Sequence, residues 1–154
     1  MSETKSRNIK YILIGLLVLA IGAGFYGYKE YNRTAKDIAT ITPAFTTSSD
    51  AIIEEFTKSD STANAKYLGK TLALNGNLKA IDKDENGFYT LVLGDTTSST
   101  AVRCSMDSAH NSEATTLKEG TKINVKGICT GFNQDELGLG ADIILNHSCI
   151  NKSN

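Results

Sequence analysis

Residues 71–80 read TLALNGNLKA, and apolar and polar side chains alternate along this stretch. Every second residue from position 72 is apolar or glycine, and these residues are Leu72, Leu74, Gly76, Leu78 and Ala80. Side chains on a β-strand point alternately to its two faces, so a period of two predicts a strand with one buried face. A glycine within such a strand suits the tight bends of a small closed barrel.

Four further segments have the composition of short strands, and they are residues 88–93, 101–106, 121–129 and 141–150. Turn-forming residues at 82–87 and 133–140 predict hairpins between neighbouring strands. Residues 108–120 break the alternation, and Ala114 and Leu117 within them predict a helical turn between the third and fourth strands.

The residues before the first strand predict two short helices. A polar cap, Ser49, and an early acidic residue, Asp50, precede the apolar positions of residues 52–56, which is typical of a helix start. Residues 60–67 predict the second helix. Five short strands with a helical connection between the third and fourth are typical of the Greek-key barrel that binds oligonucleotides and oligosaccharides, the OB-fold. We therefore predict a mainly β fold, with a five-stranded OB-fold barrel and short N-terminal helices in residues 46–150.

The N-terminus has a different pattern. Residues 11–28 read YILIGLLVLAIGAGFYGY and carry no charge. A helix of this length spans about 27 Å at ~1.5 Å per residue, close to the ~30 Å hydrocarbon core of a bilayer. We predict an uncleaved transmembrane signal anchor. Cleavage at Ala20-Ile21-Gly22, as in a secretory signal peptide, is the alternative.

This anchor divides the chain into segments. We predict a cytoplasmic tail at 1–10, the anchor at 11–28, a juxtamembrane stalk at 29–45, the barrel domain at 46–150 and a tail at 151–154. Lys and Arg are equally frequent on the two sides of the anchor, so the positive charges do not decide its orientation. The short preceding tail favours a single pass with the N-terminus inside and the barrel exported.

Several short stretches of the domain match one protein family. They are Phe45–Ser48, Glu55–Phe56, Asn64–Lys70, Leu74–Gly76, Val102–Met106, Lys118–Gly120, Val125–Gly131 and Cys149–Ile150. On these residues the chain resembles the tRNA-anticodon-binding-like OB-fold family, tRNA_anti-like, of Bacteroidetes-type bacteria. The resemblance implies an OB-fold behind an N-terminal anchor and stalk, and it implies no active site.

The charge of the domain bears on its partner. From Thr46 onward, ten Lys or Arg stand against fourteen Asp or Glu, a net charge of −4. Phosphate binding draws its sequence-independent affinity from basic patches, which an acidic domain lacks. We therefore predict a partner other than nucleic acid, with single-stranded or tRNA-like nucleic acid as the alternative. Because OB barrels bind across the second and third strands, the predicted ligand-binding face is Tyr89, Leu91, Arg103 and Ser105.

The three cysteines, Cys104, Cys129 and Cys149, lie on the third, fourth and fifth predicted strands. An exported domain favours one disulfide among them. The hairpin between the last two strands favours Cys129 with Cys149. Cys104 with Cys149 is the competing pair, because the third and fifth strands are neighbours in the usual barrel order. Three buried thiols are the remaining alternative.

The turn after the first strand resembles half of a calcium loop. Asp82, Asp84 and Asn86 place oxygen ligands at alternate positions, and Gly87 follows them. The bidentate glutamate of such loops is missing, because Leu93 occupies its place. We predict a solvated hairpin turn here and no metal site.

Neither histidine, His110 or His147, forms a recognisable catalytic constellation with a nucleophile and an acid. We therefore predict that the protein is not an enzyme and needs no cofactor. The sequence favours a noncatalytic OB-fold domain of the bacterial cell envelope, held in the inner membrane by residues 11–28 in contact with lipid. Its predicted partner is an envelope protein or a small envelope ligand.

Overall fold

The computed structural model describes residues 37–134 and 140–151, together with Gly22. Its helices and strands in chain order are β1 (Phe45–Ser48), α1 (Ser49–Lys58), α2 (Asp60–Tyr67), β2 (Thr71–Lys83), β3 (Tyr89–Leu93), β4 (Ala101–Met106), β5 (Lys122–Gln134) and β6 (Ala141–Ile150). Two short 3-10 helices, Ile38–Thr40 and Asn111–Thr116, lie before β1 and between β4 and β5.

Five of these strands close into a barrel. β2 pairs antiparallel with β3 and with β5, and β3 pairs antiparallel with β4. β4 then pairs in parallel with β6, which pairs antiparallel with β5. The order β2-β3-β4-β6-β5 therefore returns to β2, as in an OB-fold. The prediction of a mainly β, five-stranded barrel with short N-terminal helices is confirmed.

The sixth strand, β1, was not predicted from the sequence. It pairs in parallel with residues 72–75 of β2, which also pair with β5. β1 and β5 therefore lie on opposite edges of β2. The strand has only four residues, and its partners lie beyond both helices in the chain. Alternation within so short a segment gives no signal.

The two helices pack against the barrel through their apolar sides. Ser48 caps α1 in place of the predicted Ser49, since the Oγ of Ser48 accepts the N–H of Ala51 at 3.1 Å. Phe56 of α1 is buried and stacks on Phe132 of β5, with ring centroids 5.1 Å apart. α1 therefore covers the barrel where β5 ends.

An ion pair and a hydrogen bond join α2 to α1. Lys66 Nζ lies 2.8 Å from Glu55 Oε2, and the hydroxyl of Tyr67 donates to Glu55 Oε1 at 2.9 Å. Burial raises the pKa of Tyr67, so this phenol remains a hydrogen-bond donor at neutral pH.

A bulge in β2 shifts the predicted alternation. The register between β2 and β3 changes between Leu78 and Ala80, which places an extra residue, Lys79, in β2. Ile81 pairs with the buried Leu91 and packs against the core. It therefore takes the inward position that the sequence pattern gave to Ala80. One extra residue inverts every later position, because the side-chain period of a strand is two.

All three cysteines are free, and neither predicted disulfide is present. Cys104 and Cys129 both pair with Leu145 of β6, whereas Cys149 pairs with Lys126 of β5. The register thus separates Cys149 from both candidate partners along β6. Burial raises the pKa of Cys104 to about 12 and that of Cys149 to about 11, so neither thiol ionises readily at neutral pH.

Some predicted segments lie outside the described residues. They are the tail at 1–10, the anchor at 11–28 apart from Gly22, residues 29–36 of the stalk, residues 135–139 of the last hairpin and residues 152–154. Among the residues that the structure describes, no helix has the length and hydrophobicity needed to cross a bilayer. The chain divides into two compact units, Met1–Ala35 and Lys36–Asn154, and the barrel belongs to the second.

Gly76 allows β2 and α1 to approach closely. A Cβ atom at this position would lie 2.8 Å from Ser49 Cβ and 3.1 Å from Leu93 Cδ2, with Ser49 Oγ closer still. Ser49 is the first residue of α1 and is fully buried. A side chain at position 76 therefore has to displace the start of α1.

Gly76→Ala is expected to lower the free energy of unfolding by about 1–3 kcal/mol, the usual cost of overpacking a core. Urea unfolding of the full chain in detergent, followed by circular dichroism, measures this change. Gly131→Ala is the matched control on β5, because a Cβ there meets no atom within 4 Å. We expect the control to change stability by less than about 0.5 kcal/mol. Equal losses in the two variants would contradict the packing role of Gly76.

Candidate ligand-binding face

Cross-strand pairing defines the outer surface of β3 and β4. Directly paired residues share a face of a sheet. One outer row runs across four strands through Ala80, Val92, Arg103 and Ile144. The neighbouring row contains Asp82, Thr90 and Ser105. We call these two rows the β3–β4 face.

The structure separates the four residues predicted for ligand binding. Arg103 and Ser105 lie on the β3–β4 face, as predicted. Leu91 is fully buried and pairs with Cys104 inside the barrel, so its assignment to the face is wrong. Tyr89 lies two residues before Leu91 and therefore on the same, inner face of β3. Its side chain is partly buried and packs against the core.

The two β3 residues that occupy the face are Thr90 and Val92, which the sequence reasoning missed. Alternation along β3 separates its two faces but does not show which face matches that of Arg103. The register supplies this information, because Thr90 pairs with Ser105 and Val92 with Arg103.

Arg103 lies at the centre of the β3–β4 face between two carboxylates. Its Nε donates to Asp142 Oδ2 at 2.8 Å, and its Nη1 donates to Asp82 Oδ2 at 2.9 Å. The hydrogen bond to Asp142 and the weaker effect of Asp82 raise the pKa of Arg103. The guanidinium stays partly exposed, with 41% of the side chain accessible. Exposed ion pairs of this kind contribute about 0–1 kcal/mol, so their main effect is to fix the orientation of Arg103.

Sequence reasoning missed Asp142 as part of this group. Asp142 lies 39 residues after Arg103 in the chain, and it reaches Arg103 only because β4 and β6 pair in parallel. Asp82 appeared in the sequence as a turn residue, and its ion pair joins β2 to β4, which are not neighbours in the sheet. The one sequence signal that points to Asp142 is its outward position in the alternation near the start of β6.

The hairpin loop after β2 borders the β3–β4 face. Asp84 Oδ1 accepts the N–H groups of Asn86 at 2.9 Å and Phe88 at 2.8 Å. Gly87 has a φ of 86°, a left-handed conformation that favours glycine. Asp84 therefore closes the loop on itself, while the carboxylate of Asp82 is directed to Arg103. Within residues 37–134 and 140–151, no three His, Cys, Asp or Glu side chains are grouped so that they could hold a metal ion.

Phe88 is the exposed aromatic residue of this loop, with 46% of its surface accessible. The adjacent Tyr89 ring lies under Lys83, whose Nζ is 5.2 Å from the ring centroid. Asn111 holds the loop in place, since its Nδ2 donates to the carbonyl of Gly87 at 2.9 Å. The loop after the first barrel strand is one of the two loops through which OB domains contact ligands. Phe88 is therefore available for contacts beside the β3–β4 face.

An open groove of about 600 Å³ lies away from this face, beside α1. Its carboxylates come from Asp50 and Glu54 of α1 and from Asp95 of the loop after β3. Ile53 supplies an apolar wall, and Lys58 the one cation of the lining residues that the structure describes. The groove adds to the acidic character of the domain.

Comparison with solved structures supports the fold. A protein from Klebsiella pneumoniae subsp. pneumoniae MGH 78578, described as a proposed nucleic-acid-binding lipoprotein, is similar with a TM-score of 0.55 and 19% identity. The match covers 78% of this chain and 100% of that protein. At this identity the likeness shows a shared fold.

Aminoacyl-tRNA synthetases match over a smaller share of both chains. Aspartyl-tRNA synthetase from Entamoeba histolytica has a TM-score of 0.41 and 12% identity, covering 55% of this chain and 19% of the synthetase. Asparaginyl-tRNA synthetase from Pyrococcus horikoshii has a TM-score of 0.39 and 16% identity, covering 55% and 20%. The sequence matches no curated protein.

The family model described as tRNA_anti-like matches residues 1–141. This range contains the predicted anchor and stalk as well as the barrel up to the start of β6. Since the model covers most of the chain and the barrel has the matching OB topology, the protein belongs to the tRNA_anti-like family.

Proposed function

We propose that the protein is a noncatalytic, membrane-anchored OB-fold domain of the bacterial cell envelope, and that it binds a protein or a small envelope ligand on the β3–β4 face. The position of Arg103 between Asp82 and Asp142 carries this proposal. OB barrels use the corresponding strands and loops to bind their ligands. Ile144 adds a partly exposed apolar side chain beside the charged centre, whereas Val92 is only 5% exposed.

The charges of this centre favour a particular class of ligand. Two carboxylates against one guanidinium leave a net negative charge. A phosphate approaching Arg103 also meets Asp82 and Asp142 within the ~8 Å over which charges act at physiological salt. Cationic and hydroxyl groups, in contrast, are attracted to carboxylates. The face therefore suits a basic segment of a protein or a neutral polar ligand.

The membrane anchor is supported by sequence and by family. Residues 11–28 are uncharged and long enough to cross a bilayer as a helix. The family model extends over this segment, since it begins at residue 1. The Klebsiella protein with the similar fold is described as a lipoprotein, another form of envelope anchoring. We place the domain on the periplasmic or extracellular side of the inner membrane.

Nucleic acid is the second candidate ligand. The description of the Klebsiella protein as a proposed nucleic-acid binder favours it, and so does the exposed ring of Phe88, which precedes the Tyr89 ring that Lys83 covers. Proteins that bind single strands combine exposed aromatic rings with a positively charged groove. On the β3–β4 face the one cation, Arg103, is already paired with two carboxylates. This candidate therefore ranks below a protein or small ligand.

A photoreactive residue tests the proposed face directly. We expect Ser105→p-benzoylphenylalanine to give a discrete cross-linked product in living cells, detected on a gel, because position 105 lies on the β3–β4 face. The matched control is the same substitution at Asn124, which is exposed on the outer side of β5. Asp82→Asn with Asp142→Asn should weaken the product at position 105. The same products from both positions would contradict the assignment of the face.

A fusion tests the proposed location. Alkaline phosphatase joined after Asn154 is expected to be active in cells, because its disulfides form in an exported compartment and not in the cytoplasm. A cytoplasmic fluorescent protein fused at the same point serves as the opposite reporter and controls for expression. An inactive phosphatase with a bright fluorescent fusion would place the barrel in the cytoplasm.

A further inference from the structure

Residues 37–41, which we call the N-terminal clasp, lie on the barrel surface outside the β3–β4 face. The 3-10 helix Ile38–Thr40 within the clasp contacts β5 and β6. Asp37 caps this helix, since its Oδ1 accepts the N–H of Ala39 at 2.9 Å. Ile38 is buried, with 3% of its surface accessible. The clasp is therefore packed against the barrel.

A buried lysine holds the main chain of the clasp. Lys126 of β5 is 7% exposed, and its Nζ donates to the carbonyls of Ala39 at 2.8 Å and Ile41 at 3.0 Å. A buried ammonium group needs such acceptors, because leaving water without them is costly. Cys149 pairs with Lys126 and shares its side of the sheet. Both side chains are thus enclosed where the clasp is docked.

A histidine pairs with the first residue of the clasp, Asp37. His110 Nε2 lies 2.7 Å from Asp37 Oδ1, and its Nδ1 lies 3.5 Å from Glu113 Oε1. Glu113 is held in turn, because its Oε2 accepts the N–H of Ile150 at 3.0 Å. His110 therefore links the clasp to the 3-10 helix Asn111–Thr116 and to the end of β6.

Other charged groups surround this link. The charge of His110 contributes to the lowered pKa of Asp107. The ion-pair partner of Asp107 is His147, whose Nδ1 lies 2.9 Å from Asp107 Oδ2. The charge of Lys126, on β5, contributes to the lowered pKa of Asp37. The carboxylates nearest to His110 are thus Asp37 and Glu113, and both favour the charged imidazolium.

We propose that the N-terminal clasp is a pH-sensitive strap, which His110 holds closed over Lys126 and Cys149 while its imidazole is charged. Loss of the His110 proton removes the ion pair with Asp37 and loosens the clasp. Opening lengthens the chain ahead of β1 and uncovers Lys126 and Cys149. This device is independent of any ligand on the β3–β4 face.

The direction of the pH dependence follows from the two partners. The hydrogen bond with Asp37 raises the pKa of His110 above its ordinary value of 6.5. The charged His110 therefore contributes its full stabilisation of the docked clasp below about pH 6.5. This stabilisation is lost as the pH rises through the raised pKa of His110. The hydrogen bond with His110 lowers the pKa of Asp37 below 3.8. On the acid side, support is lost as the pH falls through that lowered pKa.

Hydrogen exchange of the full chain in detergent micelles tests the clasp. Exchange is compared at about pH 5.5 and about pH 8.5, on either side of the ordinary histidine pKa, and corrected for the chemical rate of exchange. The reporters are the N–H groups of Ala39, Thr40 and Ile41, which are bonded within the clasp. We expect them to lose protection about three- to fivefold at the higher pH, the effect of one partly exposed ion pair. Amides of β2 should keep theirs.

Three variants separate the clasp from general destabilisation. His110→Gln should remove the pH difference, and Asp37→Asn should do the same while keeping an oxygen to cap the helix. Asp37 is half exposed, so its variant provides a folded test even where His110→Gln unfolds the barrel. The matched control is His147→Asn, since His147 pairs with Asp107 and Asn tolerates its φ of 51°. The control should keep the wild-type difference.

Two results would overturn the proposal. The first is equal protection of the clasp at both pH values in the wild type. The second is a pH difference that survives in His110→Gln and Asp37→Asn, or one that disappears in His147→Asn.

Discussion

The rest of the barrel depends on β2, because its residues change partner in the middle of the strand. Residues up to Asn77 pair with β5, and residues from Leu78 onward pair with β3. The bulge at Lys79 lies where the partners change, and bulges increase the bend and twist of a strand. Gly76 lies next to this point and lets α1 approach without a clash. The bend in β2 thus closes the barrel, sets the place of α1 and determines which side chains form the β3–β4 face.

Local alternation was enough to find the five barrel strands, but not the four-residue β1. β4 and β6 have the predicted bounds, and so does α2. The errors within these strands concern which side chains face the inside of the barrel. The extra residue at Lys79 exchanges the roles of Ala80 and Ile81, and the register of β3 places Leu91 inside. The sequence pattern cannot show a bulge, because pairing with a distant strand decides where the extra residue is accommodated.

The same reasoning explains Cys149. The register of β6 shifts against both β4 and β5 near His147, whose φ is 51°. This shift pairs Cys149 with Lys126 on the outer side of the sheet, although simple alternation places it inward with Cys129. A second bulge therefore determines that neither predicted disulfide forms and that the N-terminal clasp covers a thiol. A non-glycine residue with positive φ, such as His147, gives no signal in the sequence.

The candidate site shows what distant pairing adds to a residue whose outward position the alternation predicted. The sequence identified Arg103 and Ser105, because the alternation of β4 is regular and OB barrels bind on this strand. Read alone, Arg103 beside aromatic residues resembles a contact for phosphate. In the structure, Asp82 and Asp142 come from 21 and 39 residues away and enclose the same guanidinium. The electrostatic character of the face is thereby reversed, and with it the class of ligand that the face favours.

Fluorescence anisotropy of labelled single-stranded RNA and DNA oligonucleotides, titrated with the full chain in detergent, tests whether the carboxylates around Arg103 keep nucleic acid off the β3–β4 face. We expect no affinity beyond the weak non-specific limit, a Kd of about 10⁻⁴ M or higher at physiological salt. We also expect no loss of signal on Arg103→Ala. A Kd below about 10⁻⁶ M that rises steeply with salt, and that Arg103→Ala weakens, would contradict the account and make the β3–β4 face a nucleic-acid interface.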